Sequence, residues 1–150
     1  DRVMGMSAEY DVDPYLVAAV IHCESSNNKE AVSPVGAMGL MQIMPDTGGW
    51  IAGKLEMEDF TEKQLFEPET NIRFGCWYLN YLSDKFDGNR ISVLAAYNGG
   101  PGNVEKWLND ERYSQGGQLT DIPFPETERY IEKVQRAYEK YLTLYDTELS

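Results

Sequence analysis

One glutamate has the sequence setting of a catalytic acid. Residues 22–45 read "HCESSNNKEAVSPVGAMGLMQIMP", and on a helix Glu24 shares the apolar face of Val20 and Ile21. Because burial disfavours a charged carboxylate, we expect the pKa of Glu24 to exceed its usual value of about 4.3. A carboxylic acid that stays protonated near neutral pH can protonate the leaving oxygen of a glycosidic bond. The alternative is a helix-terminal glutamate that reaches solvent.

The segment after Glu24 combines apolar and polar groups in a way that suits a sugar ring. Gly36 and Gly39 allow the backbone to turn tightly or to approach a ligand closely. Ser33 and Gln42 supply hydrogen-bonding groups, and Met44, with two further methionines, supplies apolar contact. The alternative is a buried loop with capping residues.

Two later segments offer further candidates. "AAYNGGPGNV" places Tyr97 and Asn98 at a helix end, where a hydroxyl group could hold a carboxyl group or a sugar. "PFPETERY" places Glu126 and Tyr130 four residues apart, on one face of a helix. A core tyrosine and a surface or capping glutamate are the simpler interpretations. His22 does not share the face of Glu24, so we predict neither a serine–histidine pair nor a metal site.

The elements that position these residues are predicted to be helices. Asp13 is suited to the N-cap position and Pro14 to the first turn of the helix that ends near Glu24. No strand-like alternation longer than four residues, no heptad pattern and no repeat is present. The segments predicted to be helical are "DPYLVAAVIHCES", a turn or helix around "TGGWIAGKL", "PETNIRFGCWYLNYLSDKF", "RISVLAAYN", "NVEKWLN" and "ETERYIEKVQRAYEKYLTLY". The pattern predicts one all-α domain over residues 1–150, in which long loops rich in Gly and Pro have functional roles.

Composition and charge exclude several classes of partner. The 150 residues are 42% hydrophobic and carry a net charge of −12, which argues against nucleic acid and against electrostatic binding to anionic lipid. No apolar run is long enough to span a bilayer and no signal peptide is visible. A neutral substrate is the better fit. Cys23 and Cys76 have neither zinc-site nor redox-motif spacing, which leaves buried thiols and a disulfide as equal alternatives.

Four blocks in order resemble the catalytic domain of soluble lytic transglycosylases, which are relatives of goose-type lysozyme. The blocks are "ESSNNKEAVSPVGAMGLMQIMP", "PETNIRFGCWYL", "AAYNGGPGNV" and "PETERYI", and the resemblance extends over about residues 13–141. It implies a lysozyme-like helical fold with long loops around a substrate groove. That family breaks the β-1,4 bond between N-acetylmuramic acid and N-acetylglucosamine in peptidoglycan without adding water, and it forms a 1,6-anhydro product.

The resemblance also implies roles for individual residues. Glu24 matches the single acid and base of the family, and Tyr97 matches the tyrosine that contacts the catalytic carboxyl group. Glu126 matches the second acidic residue of the cleft. Ser33, Gln42 and Met44 match positions that line the sugar groove, and Asn98 and Tyr130 are candidates for the same groove. The family needs no cofactor, because the nucleophile is a hydroxyl group of the substrate.

The sequence departs from the family pattern at two positions. Asn27 stands where the family usually has an aromatic residue three positions after the catalytic glutamate, so the packing beneath the acid could differ. "AYNGG" replaces the commoner "AYNAG". A hydrolytic muramidase like goose-type lysozyme and an inactive peptidoglycan-binding relative are the alternatives to a transglycosylase. In each case we expect a monomer in the cell envelope or at the cell surface, exported or anchored by a segment upstream of Asp1.

Overall fold

The computed structural model describes residues 2–149 of the chain, and the side chains of residues 2–145. The two end residues of the predicted 1–150 domain therefore lie outside the described residues. The described elements, in chain order, are α1 (Arg2–Glu9), α2 (Pro14–Ser25), α3 (Pro45–Lys54), a 3-10 helix (Glu62–Phe66), α4 (Pro68–Lys85), α5 (Arg90–Gly99), α6 (Pro101–Leu108), β1 (Ser114–Gln115), β2 (Gln118–Leu119) and α7 (Pro125–Leu149).

The helix that carries Glu24 begins as its sequence predicts. The Asp13 side chain accepts a hydrogen bond of 2.9 Å from the Tyr15 backbone N–H group, and Pro14 occupies the first helical position. The helix ends where Ser26 takes a left-handed conformation with φ 52°. α2 packs along α7, and Val17, Val20 and other apolar side chains of α2 are fully buried in the core. The core thus fixes the helix whose last turn carries Glu24.

The first helix of the structure, α1, precedes every helix that the sequence predicts. It contains Gly5 and has no acidic residue in its first turn, so neither propensity nor capping indicates it. It packs against α2 and α4. An ion pair of 2.8 Å between Arg73 and Glu9, and a hydrogen bond of 3.0 Å from Arg73 to the Tyr10 hydroxyl group, anchor its C-terminal end to α4. Tertiary contacts therefore stabilise this helix.

A small hairpin and an earlier start of α6 are the other differences from the prediction. β1 and β2 pair antiparallel around Gly116 and Gly117, with φ values of 61° and 79°, the conformation that two-residue hairpin turns require. The Gly-Gly pair was the available signal for this turn. α6 begins at Pro101, because proline fits the first turn of a helix and Gly100, at φ 95°, makes the break. The predicted all-α class is otherwise confirmed.

Both cysteines are free thiols, so the structure supports the buried-thiol alternative and contains no disulfide between Cys23 and Cys76. Cys76 is buried, and burial raises its pKa to about 12; Cys23 is half-buried and its pKa is also raised, chiefly by burial. Thiols with raised pKa values are poor nucleophiles at neutral pH. Among the helices described, none has the length and hydropathy that a membrane span requires.

Candidate functional site

Glu24 lies in the last turn of α2, with its side chain half-buried. Burial raises the pKa of its carboxyl group to about 7, and an interaction with the Tyr130 hydroxyl group acts in the opposite direction. The shift has the direction that the helical spacing predicts. A carboxyl group with this pKa is substantially protonated near neutral pH, so it can donate a proton and later accept one.

Two tyrosines share the surroundings of Glu24. Tyr130 of α7 is buried, and its hydroxyl group has no hydrogen-bond partner of ordinary geometry among the described residues. Tyr97 of α5 donates a hydrogen bond of 2.8 Å to the Met41 carbonyl oxygen. Burial raises the pKa of both phenols well above 10, and the negative charge of Glu24 raises them further. The structure therefore brings Glu24, Tyr97 and Tyr130 together from three helices.

The loop of residues 31–43, between α2 and α3, has a fixed backbone. Met38 exchanges two hydrogen bonds of 3.0 Å with Ile43, and the Gln42 amide donates to the carbonyl oxygens of Ala31 and Gly39 at 3.1 and 2.9 Å. The Gln42 amide oxygen has no protein partner among the described residues, so it remains available to a ligand. The glycine-rich composition thus gives an ordered loop beside the acid.

Asn71 of α4 fixes this loop, and it is not among the predicted site residues. The side chain is fully buried and accepts a hydrogen bond of 2.7 Å from the Met41 backbone N–H group. It donates to the carbonyl oxygens of Met38 and Leu65 at 2.9 and 2.8 Å. The available signal was a polar residue on the apolar face of α4, four residues before Gly75, since buried polar groups need partners.

Two glycines allow the loop to approach α4 this closely. At Gly39, with φ 79°, a Cβ atom would lie 2.3 Å from the Asn71 amide nitrogen and from the Leu65 carbonyl oxygen. At Gly75, a Cβ atom would lie 2.2 Å from the Met41 sulfur. Any larger side chain at either position would push the loop away from α4, and with it the carbonyl group that Tyr97 contacts.

The other predicted site residues lie around this centre in different settings. The Ser33 hydroxyl oxygen accepts a hydrogen bond of 3.0 Å from the Ala37 N–H group and stabilises a turn. Met44 is exposed at the start of α3. Asn98 accepts a hydrogen bond of 2.8 Å from the Thr127 hydroxyl group, which ties the end of α5 to the first turn of α7.

Glu126 and Asn27 are both exposed to solvent. Glu126 is exposed in the first turn of α7, beside Thr127, and does not contribute to the pKa shift of Glu24. Asn27 is exposed with φ 66°, a conformation that asparagine tolerates better than most residues. The side chain at position 27 is therefore a solvent-exposed amide in this chain.

A groove of about 700 Å³ lies between α2 and α7, and none of the predicted site residues lines it. It is lined by His22, Cys23, Ser26, Lys133, Arg136, Ala137, Lys140, Tyr141 and Leu144. On α2, His22 and Ser26 are each two positions from Glu24 and so point to the other side of the helix. Among the residues that the structure describes, no group of three or more His, Cys, Asp or Glu side chains could hold a metal ion.

Comparison with known proteins gives the family that the four sequence blocks resemble. The family model for the transglycosylase SLT domain matches residues 3–119. The soluble lytic murein transglycosylase of Salmonella typhimurium is 42% identical over 134 residues, which are 87% of this chain and 21% of that protein. The chain thus spans about a fifth of the length of this curated relative.

Solved structures agree with the sequence comparison. The 70 kDa soluble lytic transglycosylase of Escherichia coli has a TM-score of 0.85 and 36% identity, over 97% of this chain and 24% of that one. An inactive glutamate-to-glutamine variant of the lytic transglycosylase Slt from Pseudomonas aeruginosa has a TM-score of 0.81 and 33% identity, over 94% of this chain and 24% of that one. With the family model matching most of its length, the chain belongs to the transglycosylase SLT domain family.

Proposed function

We propose that this chain is a peptidoglycan lytic transglycosylase in which Glu24 acts first as the acid and then as the base. The observation that carries the proposal is a half-buried carboxyl group with a pKa of about 7, placed beside two tyrosines. Hydrolases that invert or retain configuration use a pair of carboxyl groups. In the proposed reaction one carboxyl group is sufficient, because the nucleophile belongs to the substrate.

The reaction that this arrangement supports has two proton transfers. Glu24 donates its proton to O4 of N-acetylglucosamine as the bond from O4 to C1 of N-acetylmuramic acid breaks. The carboxylate then accepts the proton of the muramic acid O6 hydroxyl group as O6 bonds to C1, which closes the 1,6-anhydro ring and restores the acid. The Tyr130 hydroxyl group lowers the pKa of Glu24, so it stabilises the carboxylate between the two steps.

The remaining candidate residues are proposed to hold the glycan strand. The free amide oxygen of Gln42 and the Ser33 hydroxyl group would contact N-acetyl and hydroxyl groups of the sugars, and exposed Met44 would contact an apolar sugar face. Asn98 and Glu126, at the junction of α5 and α7, would line the substrate groove opposite Ser33, Gln42 and Met44. We further propose a monomer without a cofactor, acting outside the cytoplasm, because its substrate is found there.

Product analysis tests the reaction type. The protein is incubated with purified peptidoglycan, and the soluble fragments are analysed by mass spectrometry. We expect muramic acid ends in the 1,6-anhydro form. Reducing ends, each heavier by one water, would contradict the proposal and indicate a hydrolytic muramidase. Binding to peptidoglycan without any cleavage would contradict it in favour of a binding module.

Replacement of Tyr130 by phenylalanine is expected to change the pH dependence of the reaction. Tyr130 lowers the pKa of Glu24, so its removal raises that pKa and keeps the acid protonated to higher pH. The activity of the parent should fall as pH rises through about 7, and in Tyr130→Phe this fall should move to higher pH. The reaction rate is measured from pH 5 to pH 9.

Tyr141→Phe is the matched control for this experiment, because Tyr141 lies on the same helix and lines the groove on the other side of α2. It should keep the parental pH profile. A profile of Tyr130→Phe that coincides with that of the parent would show that the Tyr130 hydroxyl group does not stabilise the carboxylate.

A further inference from the structure

Four aromatic side chains form a cluster between α3 and α4, which we call the Trp50 cluster: Trp50, Trp77, Tyr78 and Tyr81. The Trp77 and Tyr81 rings are stacked, with centroids 5.4 Å apart and 9° between their planes. Trp50 contacts both rings edge to face, at 5.3 and 5.0 Å. Contacts with several rings restrict the rotation of the Trp50 indole, so it presents a fixed surface.

Trp50 is exposed although it packs against three rings. Its side chain is 40% exposed, and the neighbouring positions on α3 are Gly49 and Gly53. Neither position carries a side chain that could cover the indole, and a Cβ atom built at either glycine would lie in open space. The Lys54 ammonium group lies over the indole ring, 5.8 Å from its centroid, and adds a hydrogen-bond donor beside it.

The Trp50 cluster is continuous with the surroundings of Glu24. The Tyr78 ring lies 6.3 Å from the Trp50 ring and 5.6 Å from the Tyr97 ring, and Tyr97 interacts with Glu24. Two ring-to-ring contacts through Tyr78 therefore connect Tyr97 with the exposed indole of Trp50. A short oligosaccharide can bridge the distance between these two rings. Met44, a candidate groove residue, immediately precedes the helix that carries Trp50.

We propose that Trp50, with the neighbouring Lys54, forms a distal sugar-binding site for the glycan strand. A pyranose ring has an apolar face of C–H groups and a polar rim, and a fixed, partly exposed indole with a nearby donor complements both. The sugars of the strand are uncharged at their rings, which suits an acidic protein. This proposal rests on the proposed function, because it extends the same groove away from Glu24.

Oligosaccharide binding tests the proposal without turnover. Glu24→Gln serves as the parent, and the dissociation constants of the N-acetylglucosamine dimer and hexamer are measured by calorimetry for it and for Trp50→Ala on that background. The hexamer should bind about tenfold more weakly to the Trp50→Ala variant, the loss typical of one aromatic contact. The dimer, bound at the positions beside Glu24, should bind equally to both. Trp50→Phe keeps an aromatic ring and should retain most of the hexamer affinity.

Tyr145→Ala provides the matched control, because Tyr145 is exposed to a similar extent, 42%, near the far end of α7. It should leave the affinities for both oligosaccharides unchanged. An unchanged hexamer affinity in Trp50→Ala, an equal loss for the dimer, or no hexamer binding by the parent would each overturn the distal site. None of these results would alter the product analysis on the chain with Glu24 intact, which decides the proposed function separately.

Discussion

Replacement of Glu24 by glutamine is expected to abolish cleavage of the glycan strand while the protein still binds it. Glutamine has nearly the same shape as glutamate but can neither donate nor accept the transferred proton. Since both proposed proton transfers use this carboxyl group, the rate should fall about 10³-fold or more. The release of soluble fragments from peptidoglycan measures cleavage, and sedimentation with insoluble peptidoglycan measures binding.

Glu132→Gln is the control for loss of a negative charge, because Glu132 is exposed on α7 and lies outside the candidate site. It should cleave at the rate of the parent. If Glu24→Gln retained the parental rate, another group would be the acid.

The same substitution gives a second readout in the pH dependence of stability. Burial raises the pKa of Glu24 from 4.5 to about 7, so between these pH values the folded protein binds the proton more tightly than the unfolded chain. The contribution of Glu24 to the free energy of unfolding is therefore fully present below pH 4.5 and is lost as pH rises through about 7. This loss is about 3 kcal/mol at most. Glu24→Gln should show less of this loss when thermal unfolding at pH 5 and pH 8 is compared.

Replacement of Asn71 by alanine should destabilise the protein more than most single substitutions. The change removes the side-chain partner of the buried Met41 N–H group and of the Leu65 carbonyl oxygen, and it leaves the Met38 carbonyl oxygen with the Ile43 N–H group alone. Each unsatisfied group costs about 1–3 kcal/mol, so we expect a loss of about 3–5 kcal/mol in the free energy of unfolding. Urea denaturation followed by circular dichroism measures this loss.

Asn80→Ala is the matched control, since Asn80 lies on the same helix and its side chain makes no hydrogen bond among the described residues. It should change the free energy of unfolding by less than about 0.5 kcal/mol. Equal stability of the two variants would show that the Asn71 network contributes nothing. At temperatures where Asn71→Ala is still folded, its rate of cleavage should also be reduced, because the loop supplies the carbonyl group that Tyr97 contacts.

Local signals in the sequence predict the helices that begin with a capping residue and a proline. Asp13 with Pro14, and Glu67 with Pro68, mark the starts of α2 and α4. The helix α1 has no such signal and depends on contacts such as the pair between Arg73 and Glu9, which are 64 residues apart. Local patterns do not show contacts over that separation.

The candidate site shows the same division between local and long-range signals. The position of Glu24 on the apolar face of α2 follows from spacing alone, and with it the direction of its pKa shift. The hydrogen bond from Met41 to Asn71 joins residues 30 positions apart, and the Trp50 cluster joins α3 to α4. Neither arrangement can be read from the periodicity of one helix, so both became visible only in the folded structure.

The way in which the 31–43 loop is held has a consequence for its evolution. Its shape depends on backbone groups, the Asn71 amide and the absence of side chains at Gly39 and Gly75, whereas Val32 and Val35 are largely exposed. Positions 32 and 35 can therefore vary while the loop and its position beside Glu24 are preserved. A lineage, or a laboratory library, can in this way change the surface of the loop at these two positions without disturbing its backbone.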